Sequence, residues 1–142
     1  MTACRGEQRS PEISTPTPQE IYDSLLEAEF FDPPYLMPIL EVLLPDYNVN
    51  TDDSKSFTAM EAAISALFIQ LIIIEAEENK ADSVYAAMKE HRQALLNDAF
   101  YPQGAQAAAA SIVNKNGNLI WLICDERAED INKKIEELIE AE

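Results

Sequence analysis

The stretch SIVNKNGNLIWLICDERAEDI (111–131) constrains the fold of this chain more than any other. Asn116-Gly117 stands between two apolar runs, the strongest short-range signal for a β-hairpin. In NLIWLIC, Leu119, Trp121 and Ile123 point to one side, and Ile120, Leu122 and Cys124 to the other. Both sides are apolar, and most of FIQLIII (68–74) reads the same way. A sheet built from such strands must be covered on both faces. The two later helices can cover one face. The N-terminal helices, a second subunit or a partner must cover the other.

The rest of the chain supplies those helices. Thr17-Pro18-Gln19-Glu20 has the form of a capping box with proline at the first helical position. Ile21, Leu25 and Ala28 follow at helical spacing, widened by Tyr22 and Leu26, and Asp32-Pro33-Pro34 is expected to stop this helix near Phe31. A second short helix is read over Tyr35 to Leu44, closed by Pro45; being apolar on most sides, it is expected to be packed. Asp46 to Ser56 reads as loop, Ala59 to Ala66 as helix, and the β-branched run Leu67 to Ala76 as strand. A helix from Asp82 or Ser83 to about Asn97 carries Val84, Met88, His91 and Leu95 on one face. Tyr101-Pro102-Gln103-Gly104 breaks it, and Ala107 to Ala110 favours helix before Ser111-Ile112-Val113 turns to strand. Asp125 caps a last helix, Glu126 to Glu140, with Ile131, Ile135, Leu138 and Ile139 inward and Glu129–Lys133 and Asp130–Lys134 paired outward. The expected architecture is α+β: two helices, then strand–helix–strand–strand–helix around a small, mainly antiparallel sheet.

The balance of 10 basic against 26 acidic residues, a net charge of −16, opposes contact with nucleic-acid backbones and anionic headgroups. The longest apolar run, Ala62 to Ile74, lies between Glu61 and Glu75 and contains Gln70; it suits a core element and is too short to span a bilayer.

The opening, MTACRGEQRSPEISTPTPQE, reads differently from the rest. Thr2, Ala3 and Cys4 resemble the end of a bacterial lipobox, in which small residues precede a cysteine that is lipidated. From Arg5 to Thr17, Ile13 is the only large aliphatic residue among Gly6, Ser10, Pro11, Ser14, Thr15 and Pro16. Such a segment buries too little apolar surface to offset its ordering entropy. Residues 1–17 are therefore read as a tether with Cys4 as the lipidation site, and 18–142 as one domain. The apolar h-region expected ahead of such a cysteine is missing. An incidental cysteine in an unstructured start is the bland alternative.

Catalytic chemistry has few candidates. His91 is the single histidine, on the apolar stripe between Glu90 and Arg92, and is better read as a residue at the edge of the helix–sheet contact. The carboxylate groups Asp52/Asp53, Glu75/Glu77/Glu78, Asp125/Glu126/Glu129/Asp130 and Glu136/Glu137/Glu140 lack calcium-loop spacing and read as solvated faces. Cys124, within its apolar run, is expected to be a small buried hydrophobe. Gly6, Gly104 and Gly117 form no phosphate-cradling loop, so no nucleotide, metal or other cofactor is expected.

EIYDSLLEA (20–28), PDYNVN (45–50), IIIEAEENKADSVYAAMKEHRQAL, FYPQGA and the SIVNKNGNLIWLICDERAEDI unit occur in an order similar to a domain of unknown function found in small lipoproteins of Gram-positive, Clostridia-type bacteria. The resemblance implies an N-terminal lipid anchor, a short tether and one extracytoplasmic α+β domain, and it brings no catalytic residues. The expectation is a cell-surface lipoprotein acting as a non-catalytic binding or interaction module, with a protein partner or a second copy on an apolar sheet face. Two other classes stay open. A small envelope hydrolase would need a cleft with two converging carboxylates. A cytoplasmic acidic adaptor or immunity-type protein would follow if Cys4 carries no lipid.

Overall fold

The computed structural model describes residues 15–31, 35–63, 69–99 and 102–140. Cys4 and the tether through residue 14 lie outside the described residues, as do Asp32-Pro33-Pro34 and the expected strand start at Leu67 and Phe68.

Helix α1 (Pro18–Glu27) begins as its sequence predicts. Thr17 N donates to Glu20 Oε1 at 2.8 Å, and Glu20 N donates to Thr17 Oγ1 at 3.1 Å, closing the capping box. The helix ends before the Asp-Pro-Pro signal. Glu29 takes a left-handed φ of 64°, and Phe30 N and Glu29 N bond back to the Leu25 and Leu26 carbonyls, a Schellman arrangement without glycine.

Beyond it the chain forms a five-stranded antiparallel sheet in the order β1-β2-β3-β5-β4. Its strands are β1 (Leu36–Pro38), β2 (Ser54–Ala62), β3 (Gln70–Ala76), β4 (Ile112–Asn116) and β5 (Leu119–Cys124). The expected helix over Tyr35 to Leu44 is replaced by β1 and a 3-10 helix, Glu41–Tyr47. Pro38 explains this: it lacks an N–H for an α-helix interior and biases Met37 toward extended backbone. The helix expected from Ala59 is strand as far as Ala62, because that segment alternates: Phe57, Ala59 and Glu61 face one side, Thr58 and Met60 the other, in register with β3. The expected loop from Asp46 holds a one-turn 3-10 helix, Thr51–Asp53, and the start of β2.

The hairpin forms as expected, one position along. Asn116 pairs with Leu119, so the two-residue loop is Gly117-Asn118, and Gly117 has φ +60°. Glycine at the first loop position is the requirement of a type II′ turn. Helix α2 (Ala81–Asp98) buries Val84, Met88, His91 and Leu95, the stripe read from sequence. Pro102, expected only as a breaker, is the first residue of α3 (Pro102–Ala110). In α4 (Ala128–Glu140), Ile131 and Ile135 are buried, Leu138 and Ile139 half-buried, and Glu129 pairs with Lys133 at 3.7 Å.

Both faces of the sheet are covered. On one, Ile72, Ile74, Ile120, Leu122 and Cys124 meet α2, α3, and Leu44 and Val49 around the 3-10 helices. On the other, Leu71, Ile73, Leu119, Trp121 and Ile123 meet α1 and α4. The later helices α2 and α4 thus lie on opposite faces, where the sequence placed them together. Each central strand carries equal apolar rows on its two sides, so strand pattern alone does not decide which helix takes which face. With α1 and α4 in place, the chain itself fills the face left open for a second subunit.

The sheet edges are blunted. Ile39 N bonds to Ala59 O and Ala63 N to Tyr35 O, which turns the backbone of Leu36 and Pro38 outward, and proline has no N–H to offer. At the opposite edge, Asn114 Oδ1 accepts the Lys115 N–H at 2.9 Å.

Candidate functional site

Two features outside the apolar core remain after packing: a polar cluster at one end of the sheet and an exposed apolar ridge beside it. The cluster is built by strand register. Glu61 on β2 lies opposite Gln70 on β3, which lies opposite Cys124 on β5, so the three form a row across the α2 side of the sheet. Tyr47, the last residue of its 3-10 helix, donates its hydroxyl to Glu61 Oε1 at 2.9 Å. His91, from α2, places Nε2 2.8 Å from Gln70 Oε1. An amide oxygen only accepts, so Nε2 carries the proton of the neutral ring. The Tyr47 and His91 rings meet edge-on, with centroids 5.0 Å apart.

The electrostatics follow from enclosure. Burial disfavours the imidazolium and lowers the His91 pKa. Burial, the hydrogen bond to Glu61 and the Glu61 charge push the Tyr47 hydroxyl up to about 12. Burial, with the Asp125 charge, pushes the Cys124 thiol to about 12, against a smaller opposing effect of Arg92. Such a thiol is not a nucleophile at neutral pH. It is the buried hydrophobe expected from its sequence.

The carboxylates are dispersed over separate elements. Glu75 accepts from Ser56 Oγ at 3.0 Å and lies 3.8 Å from Lys55. Asp53 lies 4.0 Å from Lys80, while Asp52, Glu77, Glu78, Glu126, Asp130, Glu137 and Glu140 are exposed. Glu136 accepts from Asn114 at 3.3 Å. Asp125 departs from the solvated-face expectation. It is buried, and its carboxylate accepts Arg127 N at 2.7 Å and Arg127 Nε at 3.1 Å, fixing the turn from β5 into α4. Among the described residues, no group of three or more His, Cys, Asp or Glu side chains is arranged to hold a metal. A hollow of about 190 Å³ between Pro16, Glu75 and the hairpin turn offers a single carboxylate. Sequence reasoning singled out His91 but missed Tyr47, Glu61 and Gln70, whose meeting depends on the β2–β3 register.

The ridge is the larger surprise. Tyr35 is 63% exposed, Met37 49%, Leu40 58%, Val42 78% and Leu43 38%, and these are the exposed large hydrophobics among the described residues. All belong to the segment expected to be packed. A 3-10 helix repeats every three residues, so Leu44 and Tyr47 align inward and the Leu40–Leu43 row faces out. The inner row is fixed: Leu44 is fully buried, and Tyr47 is held by Glu61.

Among the described residues, no helix is long and apolar enough to cross a membrane. The family model for a domain of unknown function, DUF4358, matches residues 41–125, well over half of the chain. The match takes in α2, α3 and both 3-10 helices, which cover one face of the sheet, and leaves out α1 and α4, which cover the other. No curated protein and no solved structure matches the chain.

Proposed function

The chain belongs to the DUF4358 family, and from that premise we propose that it is a non-catalytic interaction module, held outside the cell membrane by a lipid on Cys4. The observation that carries the module reading is the division of its side chains. Tyr47 bonds to Glu61 and the buried His91 to Gln70, the other three of these side chains being half-buried, while the exposed large hydrophobics among the described residues fall within residues 35–43. Polar side chains paired in this way stabilise the arrangement of the elements that carry them. An apolar patch on an otherwise charged surface marks a place where another molecule binds.

The anchor reading is supported by Thr2-Ala3-Cys4 and by the Arg5 to Thr17 composition, which suits a slack spacer between membrane and domain. Acyl chains would contribute about 0.8 kcal/mol per buried methylene, and stable attachment takes two such chains or a second signal. The acidic domain, at −16, would be repelled from anionic headgroups and so stand away from the surface.

Metabolic labelling of producing cells with an alkyne fatty acid, followed by membrane fractionation, tests the anchor. The natural chain should incorporate label and sediment with membranes, and Cys4→Ser should do neither. An unlabelled, freely soluble natural chain would favour the cytoplasmic adaptor. Native electrophoresis of detergent extracts tests the module: it should run in a complex larger than the 15.9 kDa chain. Migration only as a monomer would count against a stable partner.

A further inference from the structure

The exposed ridge deepens the interaction-module reading, on which this inference rests, by specifying the partner's contact chemistry. We infer that Tyr35, Met37, Leu40, Val42 and Leu43 form a docking face for a partner protein whose contact surface has an apolar centre and a basic rim.

The ridge is preformed. Ile39 and Leu44 are buried on its inner side, Ile39 N bonds to Ala59 O at 2.8 Å, and Leu43 N bonds to Leu40 O at 2.8 Å. A face already ordered loses little conformational entropy when bound. Tyr35 supplies an aromatic anchor of the kind that dominates protein interfaces.

Charge chooses among the occupants. Glu41 and Asp46 stand within and just beyond the ridge segment, and residues 35–54 contain no lysine or arginine; Lys55 is the next cation in the chain, and Lys80 lies 4.0 Å from Asp53. The ridge therefore lies in a single-sign acidic stretch of a chain already at −16. A second copy would bring like charge against like, and an anionic bilayer would do the same. A basic rim relieves that repulsion and steers encounter. Strand addition is disfavoured because Pro38 removes one of the outward backbone donors of β1. Docking therefore goes through side chains.

A synthetic peptide of alternating leucine and lysine provides the probe, with leucine/glutamate and serine/lysine peptides as controls. Binding to the full chain is read by fluorescence anisotropy and located by amide NMR shifts. The leucine/lysine peptide should shift residues 35–43 and bind at least about tenfold more tightly than either control. Val42→Asp should weaken it by about tenfold or more. That substitution adds a negative charge, so attraction by net charge alone would strengthen binding; an unchanged or tighter complex would overturn the inference. So would shifts that map elsewhere. Sedimentation of the natural chain as a dimer that Val42→Asp disperses would assign the ridge to a second copy. Flotation with phosphatidylcholine vesicles, lost in the same variant, would assign it to lipid. Neither peptide readout depends on Cys4 or on the protein's location, so its failure is separable from failure of the anchor.

Discussion

Residues 119–124 and 35–44 are both apolar on nearly every side, yet the first is wholly buried while the second holds the exposed large hydrophobics found among the described residues. Within LIWLIC every residue is buried. Within YLMPILEVLL, Ile39 and Leu44 are buried while Tyr35, Met37, Leu40, Val42 and Leu43 are exposed. Hydrophobicity alone does not place a segment inside. β5 sits between β3 and β4, with helices above and below it. The ridge segment lies at the rim, where β1 is an edge strand and a 3-10 helix turns one row inward and two outward. Position in the sheet order, more than composition, separates the two fates.

Substitutions should widen or erase that contrast. The largest effect is expected at Trp121, 1% exposed and donating Nε1 to Asn132 at 2.8 Å. Trp121→Ala should cost about 3–5 kcal/mol in urea unfolding, through the cavity and the lost bond. Leu44→Ala, on the buried row of the ridge segment, should cost about 2–3 kcal/mol, nearer the lower end for a leucine truncation. A cost near zero there would show that the 3-10 helix is loosely attached and the ridge not preformed.

Acidification should act next, through His91, where the ridge segment meets α2. Its folded pKa lies below the ordinary value of 6.5, because burial penalises the charged ring. Below 6.5 the unfolded chain takes up a proton that the folded chain resists. The neutral ring's advantage is full above that pH and is lost as pH falls toward the depressed folded value. Melting temperature should therefore fall from pH 7 to 5.5, and the slope should be shallower in His91→Gln. Equal slopes would remove His91 as the source. The smallest effect on stability is expected at Val42, 78% exposed: Val42→Asp should stay within about 0.5 kcal/mol of the natural chain. A larger loss would mean that the ridge is packed in solution.

Much of the centre was legible because its signals are local. The Thr17–Glu20 capping box, the Val84–Met88–His91–Leu95 stripe and the hairpin at Gly117 depend on residues near one another in the chain. The α+β class followed from the doubly apolar strands. What failed required distant partners. Ser54–Ala62 became a strand because Gln70–Ala76 pairs with it, and that pairing also brings Glu61 to Gln70 and completes the cluster with Tyr47 and His91. Pro38 is a local sign against the second helix, set in an apolar run that otherwise suits one. The placing of α1 with α4 could not be read from strands whose two sides are alike.

The blunted sheet margins bear on how the protein survives its own synthesis. QLIIIEA and LIWLIC are the kind of unbroken β-prone sequence that stacks into fibrils when left unpaired. In the finished molecule each is an inner strand, and the outermost strands carry a proline on one margin and an asparagine-capped amide on the other. A nascent chain holds β3 without its β5 neighbour until the ribosome has added α2, α3 and the hairpin. Heat, or truncation between those strands, should therefore lead to insoluble aggregates rather than to a soluble intermediate.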